Sequence, residues 1–168
     1  MKNMKKIISV AIAGIMLMPI TGCLRKKIEP VSARDFKKAV EEVFDDDDYG
    51  SYGGSIFVMD DHFAVNYTEF DDDDDARDTW EEALDNFDDM MDDGDFDGRT
   101  VRVDRDTYGY ILFDGECDDS DFMGNRSYIY GGIFYVEDEY IAVVTDKDKD
   151  SNREDVDTIL NALGFPHP

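Results

Sequence analysis

The stretch SYIYGGIFYVEDEYIAVVT, residues 127–145, decides the fold class of this chain. It holds two apolar runs, rich in β-branched and aromatic residues, on either side of Glu137 and Asp138. Such runs around a short polar turn predict two antiparallel strands joined as a hairpin. Gly131 and Gly132 lie inside the first run, where they indicate a bulge or the close approach of another backbone.

On either side of this hairpin, the sequence predicts four more strands and three helices in total. Alternating or β-branched runs predict strands at 55–59, 62–70, 100–103 and 108–113, and apolar spacing of three and four residues predicts helices at 32–44, 76–91 and 151–163. The predicted order is αββαββββα. Hairpin-linked strands between helices imply an α+β fold, with an antiparallel sheet and helices packed on one face as a two-layer sandwich.

The predicted helices carry recognisable start and stop signals. Ser32 with Asp35, and Ser151 with Glu154, have the spacing of a capping box. The central helix has an apolar stripe that includes Trp80, which we expect in the core. The acidic, glycine-rich stretch DDDDYGSYGG, residues 45–54, interrupts the first helix.

The first 22 residues have the layout of a secretory leader. Three lysines precede an apolar run over residues 7–20, which is shorter than the roughly 20 residues of a membrane-spanning helix. The sequence Ile20-Thr21-Gly22-Cys23 follows. It resembles the lipobox of bacterial lipoproteins, and this resemblance implies cleavage before Cys23, lipidation of Cys23 and attachment to the outward face of the cell membrane.

The expected organisation is therefore a leader (1–22), a lipidated cysteine with a tether (23–31) and one acidic domain (32–168). The ending Leu163-Gly164-Phe165, and the acid-led helix from Ala76 that follows the strand ending in Tyr67-Thr68-Glu69-Phe70, also resemble small surface lipoproteins of Gram-positive bacteria, a group with no assigned activity. That resemblance implies the anchor and the fold, and it carries no site residues.

The charge of the chain excludes one large class of partner. The sequence has 17 Lys and Arg against 42 Asp and Glu, a net charge of −25, and losing the three leader lysines makes it −28. Nucleic acid binding depends on cations that neutralise phosphates, so we expect no nucleic acid partner. We expect a monomer that contacts the membrane through its lipid anchor.

One motif predicts a metal site. Residues 93–98, DGDFDG, place alternate carboxylates before a glycine, as calcium-binding loops do. The ligands would be Asp93, Asp95, Asp97, the Arg99 carbonyl and Asp104. The twelfth residue is Asp where Glu is usual, and a strand follows where an EF-hand has a helix. The alternative is that these glycines and aspartates only form a turn.

The second-half strands are rich in tyrosine. Tyr108, Tyr110, Tyr128 and Tyr130 would bind a glycan, a peptide or another protein if they lay on an uncovered sheet face. The alternative is that they pack as cross-strand pairs at the edge of the core.

Catalysis has little support in the sequence. The only histidines are His62 and His167, and neither belongs to a recognisable catalytic pattern. We expect no enzymatic activity and no established cofactor, apart from calcium at the loop described above. The sequence favours a surface binding or interaction module; the alternatives are a calcium-binding module and a small extracellular hydrolase that uses unassigned carboxylates.

Overall fold

The computed structural model describes residues 26–118 and 128–168. These residues form an antiparallel sheet with the strand order β1-β2-β3-β7-β6-β5-β4, together with three helices. The α+β class is confirmed. The elements in chain order are α1 (Ala33–Glu41), β1 (Tyr49–Tyr52), β2 (Ser55–Val58), β3 (Phe63–Glu69), α2 (Asp73–Asp93), β4 (Phe96–Asp104), β5 (Tyr108–Cys117), β6 (Tyr128–Val136), β7 (Glu139–Thr145) and α3 (Asp150–Ala162).

The hairpin of β6 and β7 is the centre of the sheet, as its sequence predicts. The two strands pair from Val136 with Glu139 to Tyr130 with Thr145. Strand β7 also pairs with β3 over seven residues, which joins the hairpin of the first half to that of the second. Gly131 has a φ of 132°, and a Cβ atom there would lie 2.0 Å from the Val143 carbonyl oxygen, so the predicted close approach of a backbone is present.

The helices cover both faces of the sheet, which differs from the expected two-layer arrangement. Helices α1 and α3 pack on one face, where Tyr110 and Leu112 point, and α2 packs on the other, where Ile111 and Phe113 point. The physical reason lies in the central strands. Strand β6 is almost completely buried along its length, because its side chains are apolar in both directions.

Helix α2 is capped at both ends and packs against the sheet through a large buried side chain. The Asp72 side chain accepts a hydrogen bond from the Asp75 N–H at the start, and Gly94 ends the helix with a left-handed φ of 78°. Trp80 is fully buried, as predicted, and its ring lies over Gly109. A Cβ atom on Gly109 would approach the ring to 2.5 Å, so the strand needs glycine there.

Several element boundaries differ from the predicted ones. Strand β1 lies inside the stretch that was predicted only to interrupt the first helix, and β4 begins at Phe96, ahead of the predicted Thr100. The capping box at Ser32 is confirmed, since its hydroxyl accepts from the Asp35 N–H at 3.2 Å. The one at Ser151 is wrong: the N-cap of α3 is Lys149, which makes no side-chain cap bond.

The globular body begins before Ser32. Ile28 and Val31 are buried in the cluster under α1 and α3. The Val31 N–H donates to both carboxylate oxygens of Glu139, at 3.1 and 2.8 Å. The part of the predicted tether from Ile28 onward is therefore packed against the domain.

Candidate functional site

The structure does not bring the predicted calcium ligands together. Asp93 is the last residue of α2, Asp95 follows the turn at Gly94, and Asp97, Arg99 and Asp104 lie along strand β4. A strand rises about 3.3 Å per residue, so Asp97 and Asp104 are separated by about 23 Å. The predicted loop is thus corrected to a helix end followed by a strand.

The same residues have structural partners instead. The Asp104 carboxylate accepts from Trp80 Nε1 at 3.1 Å and from Arg77 Nη1 at 3.2 Å, which ties β4 to α2. Arg99 pairs with Asp114 on the neighbouring strand. Within residues 26–118 and 128–168, no three His, Cys, Asp or Glu side chains converge as a metal site requires.

The predicted tyrosine-bearing face is covered, which corrects the prediction that it is a binding surface. Tyr110 and Tyr130 are buried, and Tyr108 and Tyr128 are half-buried. Tyr110 packs against Phe134 with ring centroids 6.2 Å apart. The reason is the three-layer arrangement, because α1 and α3 cover the face on which these tyrosines lie.

Tyr128 and Tyr130 instead surround Arg153, on the first half of α3. The guanidinium carbon of Arg153 lies 5.3 Å from the Tyr128 ring centroid and 4.9 Å from that of Tyr130. The guanidinium also donates to Asp114 at 3.1 Å and to Asp148 at 2.9 Å. The Arg153 guanidinium thus already contacts two tyrosine rings and two carboxylates of the protein. The cluster therefore serves to hold α3 on the sheet.

Hydrogen bonds and charge set the ionisation of this cluster. Burial alone would raise the pKa of Asp114, but hydrogen bonds from Arg99 and Tyr128 and the charge of Arg153 hold it below its usual value. Burial, together with the hydrogen bond to Asp157, raises the pKa of Tyr130 to about 12. Asp114 is therefore charged and Tyr130 neutral at pH 7, which maintains the ion pairs.

A different region forms a concave surface with cationic side chains in its wall. Helix α1 contributes Ala33, Arg34 and Lys37, and residues 49–56 of the β1–β2 hairpin form the opposite wall. We call this the hairpin groove. Its volume is about 530 Å³, within the range of small-ligand sites.

The charge of the hairpin groove is opposite to that of the chain. Its charged lining residues are Arg34 and Lys37, and none of the described residues that line it is acidic. A second cleft, at the start of α2, has the reverse character, with Asp72, Asp73, Asp106, Glu137 and Asp138 in its walls. In a protein of net charge −25, the lining of the hairpin groove is thus locally cationic.

Apolar side chains are exposed on the hairpin itself. Tyr52 is 85% exposed, Met59 58% and Phe57 38%. These side chains lie on the same face of the sheet as α2. Helix α2 packs on β6 and β7, however, and does not cover the β1–β2 hairpin. Neighbouring exposed aromatic and apolar side chains are typical of interaction surfaces.

Sequence reasoning missed this site. The signal for its strand was Gly53-Gly54 between Tyr52 and Ser55, because two glycines with positive φ, here 57° and 88°, form a two-residue hairpin turn. Arg34 and Lys37 carry no local signature. Only the position of α1 beside the hairpin gives them a common role.

The predicted anchor, with its leader at 1–22 and Cys23, lies outside the described residues. Across the described ranges, no helix is both long enough and apolar enough to span a membrane. Comparisons of the chain with protein-family models, curated proteins and solved structures find no match.

Proposed function

We propose that this protein is a lipid-anchored module on the outward face of the cell membrane, which binds a ligand in the hairpin groove without catalysing a reaction. The anchor rests on the lipobox-like sequence that ends at Cys23. The binding role rests on one observation. The hairpin groove is concave, cationic and flanked by exposed apolar side chains, on a chain that is otherwise strongly acidic.

The groove has features that favour a ligand over a purely structural role. Arg34 forms no salt bridge with any residue that the structure describes. Lys37 lies 5.5 Å from the centroid of the Tyr49 ring and 3.6 Å from Glu41. Arg34, which has no salt-bridge partner among the described residues, and Lys37 on the Tyr49 ring together suit a carboxylate or phosphate group attached to an apolar body.

Fractionation tests the anchor. The wild-type chain should incorporate a labelled fatty acid, sediment with membranes and be degraded by protease added to intact cells. Cys23→Ala should remove the label and release the chain from the membrane fraction. A labelled, membrane-bound Cys23→Ala chain would contradict the anchor at this residue.

A titration tests the binding role. The acylated chain, isotopically labelled in nanodiscs, is titrated with oligosaccharides, short peptides and small aromatic carboxylates while amide NMR signals are followed. Binding in the groove should shift the signals of Gly50, Gly53 and Gly54. The shifts should vanish in Arg34→Gln/Lys37→Gln and persist in the control Lys147→Gln/Lys149→Gln. If no probe shifts these signals, or if all shifts map elsewhere, the proposal fails.

A further inference from the structure

Strand β1 is an edge strand of the sheet, and its pairing shows which of its residues hydrogen-bond to β2. The Met59 N–H donates to the Asp48 carbonyl at 2.7 Å, directly ahead of the β1–β2 ladder. Bonded and non-bonded pairs alternate along an antiparallel ladder. Gly50 and Tyr52 therefore bond to β2, whereas the N–H and C=O groups of Tyr49 and Ser51 point away from the sheet.

Tyr49 and Ser51, the residues that carry these outward groups, line the hairpin groove. No described residue pairs with the outer edge of β1, which is the first strand in the sheet order. The backbone of an extended peptide presents N–H donors and C=O acceptors at the same two-residue spacing as this edge of β1. The edge is thus a template for one more strand.

The side chains on the two faces of such an added strand would contact different kinds of residue. On the α1 side, its side chains would lie beside Arg34 and Lys37. On the other side they would meet Tyr52 and the ring of Phe57, which lies across Gly50 at 3.2 Å from the position of a Cβ atom there. Side chains on a strand alternate between faces, so the matching sequence alternates acidic and apolar residues.

The opposite edge of the sheet is less suited to this role. On β4, Arg99 is paired with Asp114 and Arg102 with Asp88, so both cations already have carboxylate partners. Beside β1, Lys37 has Glu41 as a carboxylate partner at 3.6 Å, but Arg34 forms no salt bridge with a described residue. The charge complementarity therefore favours β1.

We propose that the ligand of the hairpin groove is an extended peptide segment with alternating acidic and apolar residues, which adds to β1 as an eighth strand. This inference rests on the proposed binding function of the groove. Backbone hydrogen bonds to Tyr49 and Ser51 supply affinity, and carboxylates that pair with Arg34 and Lys37 select the sequence.

The test uses the acylated chain in nanodiscs and a fluorescent hexapeptide, Val-Glu-Val-Glu-Val-Glu. Its controls are Val-Val-Val-Glu-Glu-Glu, with the same composition, and Val-Lys-Val-Lys-Val-Lys. Fluorescence anisotropy should show that the alternating acidic peptide binds about tenfold more tightly than either control, the effect expected from losing one charged hydrogen bond. Equal binding of the first two peptides overturns the proposal.

Two variants of Ser51 isolate the backbone contact. Ser51→Pro removes an N–H that points away from the ladder, and proline is tolerated at such edge positions. Ser51→Ala keeps this N–H. The first should weaken binding about tenfold and the second should not. An unchanged affinity in Ser51→Pro overturns strand addition, and an unchanged melting temperature shows that the variant is folded.

The remaining outcomes are also decisive. If other probes shift the groove signals and the alternating peptide does not bind, this inference fails and the proposed function stands. If no probe reaches the groove, both fail. If sedimentation shows wild-type dimers and Ser51→Pro monomers, the added strand belongs to a second copy, and the peptide proposal is overturned.

Discussion

Glu139 is the residue whose burial has the clearest energetic consequence. The residue is 5% exposed, and its carboxylate accepts a hydrogen bond from the Val31 N–H, with the Tyr67 hydroxyl 3.5 Å away. Burial raises the pKa of Glu139 from 4.5 to about 7, and the nearby charges of Asp138 and Glu69 act in the same direction. The folded state therefore binds this proton more tightly than the unfolded chain does.

The sign of the resulting pH dependence follows directly. The stabilisation from protonated Glu139 is complete below pH 4.5 and is lost as the pH rises through about 7. The upper bound is about 3 kcal/mol. Glu139→Gln should flatten the free energy of unfolding between pH 5 and pH 8, measured by urea denaturation. The control, Glu69→Gln, should keep most of the wild-type slope, and a wild-type slope in Glu139→Gln would contradict the assignment.

At the scale of elements, α3 is the helix with the weakest start. Its N-cap residue Lys149 has extended backbone angles, φ −130° and ψ 137°, but no side-chain acceptor. Its position depends on Val156, Ile159 and Leu160, which are buried, and on the Arg153 cluster. The N–H groups of the first turn of α3 therefore have no side-chain acceptor at the N-cap position.

Lys149→Ser should supply that cap. The serine hydroxyl can accept from a first-turn N–H, which should raise the free energy of unfolding by about 1 kcal/mol. Urea denaturation measures the gain. Lys147→Ser removes the same charge two residues earlier and should give no gain; equal effects of the two variants would show that charge, and not capping, is responsible.

The sequence predicts those elements whose signal is long or repeated. Helix α2 and the β6–β7 hairpin are found because each buries a regular stripe or run. Strand β1 is missed because it has four residues, one of them glycine. The placement of the helices on both faces was indicated by the unbroken apolar character of β6, which a half-exposed strand would lack.

The functional residues are harder to predict, because their meaning depends on neighbours in space. The alternating aspartates at 93–97 fit a metal loop and a strand entry equally well by spacing, and the pairing of β4 with β5 decides for the strand. Arg34 and Lys37 look like ordinary exposed helix residues. Their grouping with Tyr52 arises only when the hairpin folds beside α1.

Across the whole molecule, repulsion among the excess carboxylates opposes the compact folded state. With a net charge of −25, salts should raise the melting temperature by screening. At matched ionic strength, any additional effect of calcium on the melting temperature should come from the acidic surface in general and not from residues 93–104. Asp93→Asn/Asp97→Asn should therefore leave a calcium isotherm unchanged; a lost binding step would restore the loop as a metal site.

Photo-crosslinking in intact cells locates the surface at which the molecule meets its partner. A photoreactive phenylalanine replaces Tyr52 in the hairpin or, as a control, Met91 on α2, which is 40% exposed. We predict a discrete crosslinked species from position 52 that disappears when Arg34→Glu and Lys37→Glu are added, and none from position 91. The same species from both positions, or its survival in the charge-reversed variant, would contradict the hairpin groove as the binding site.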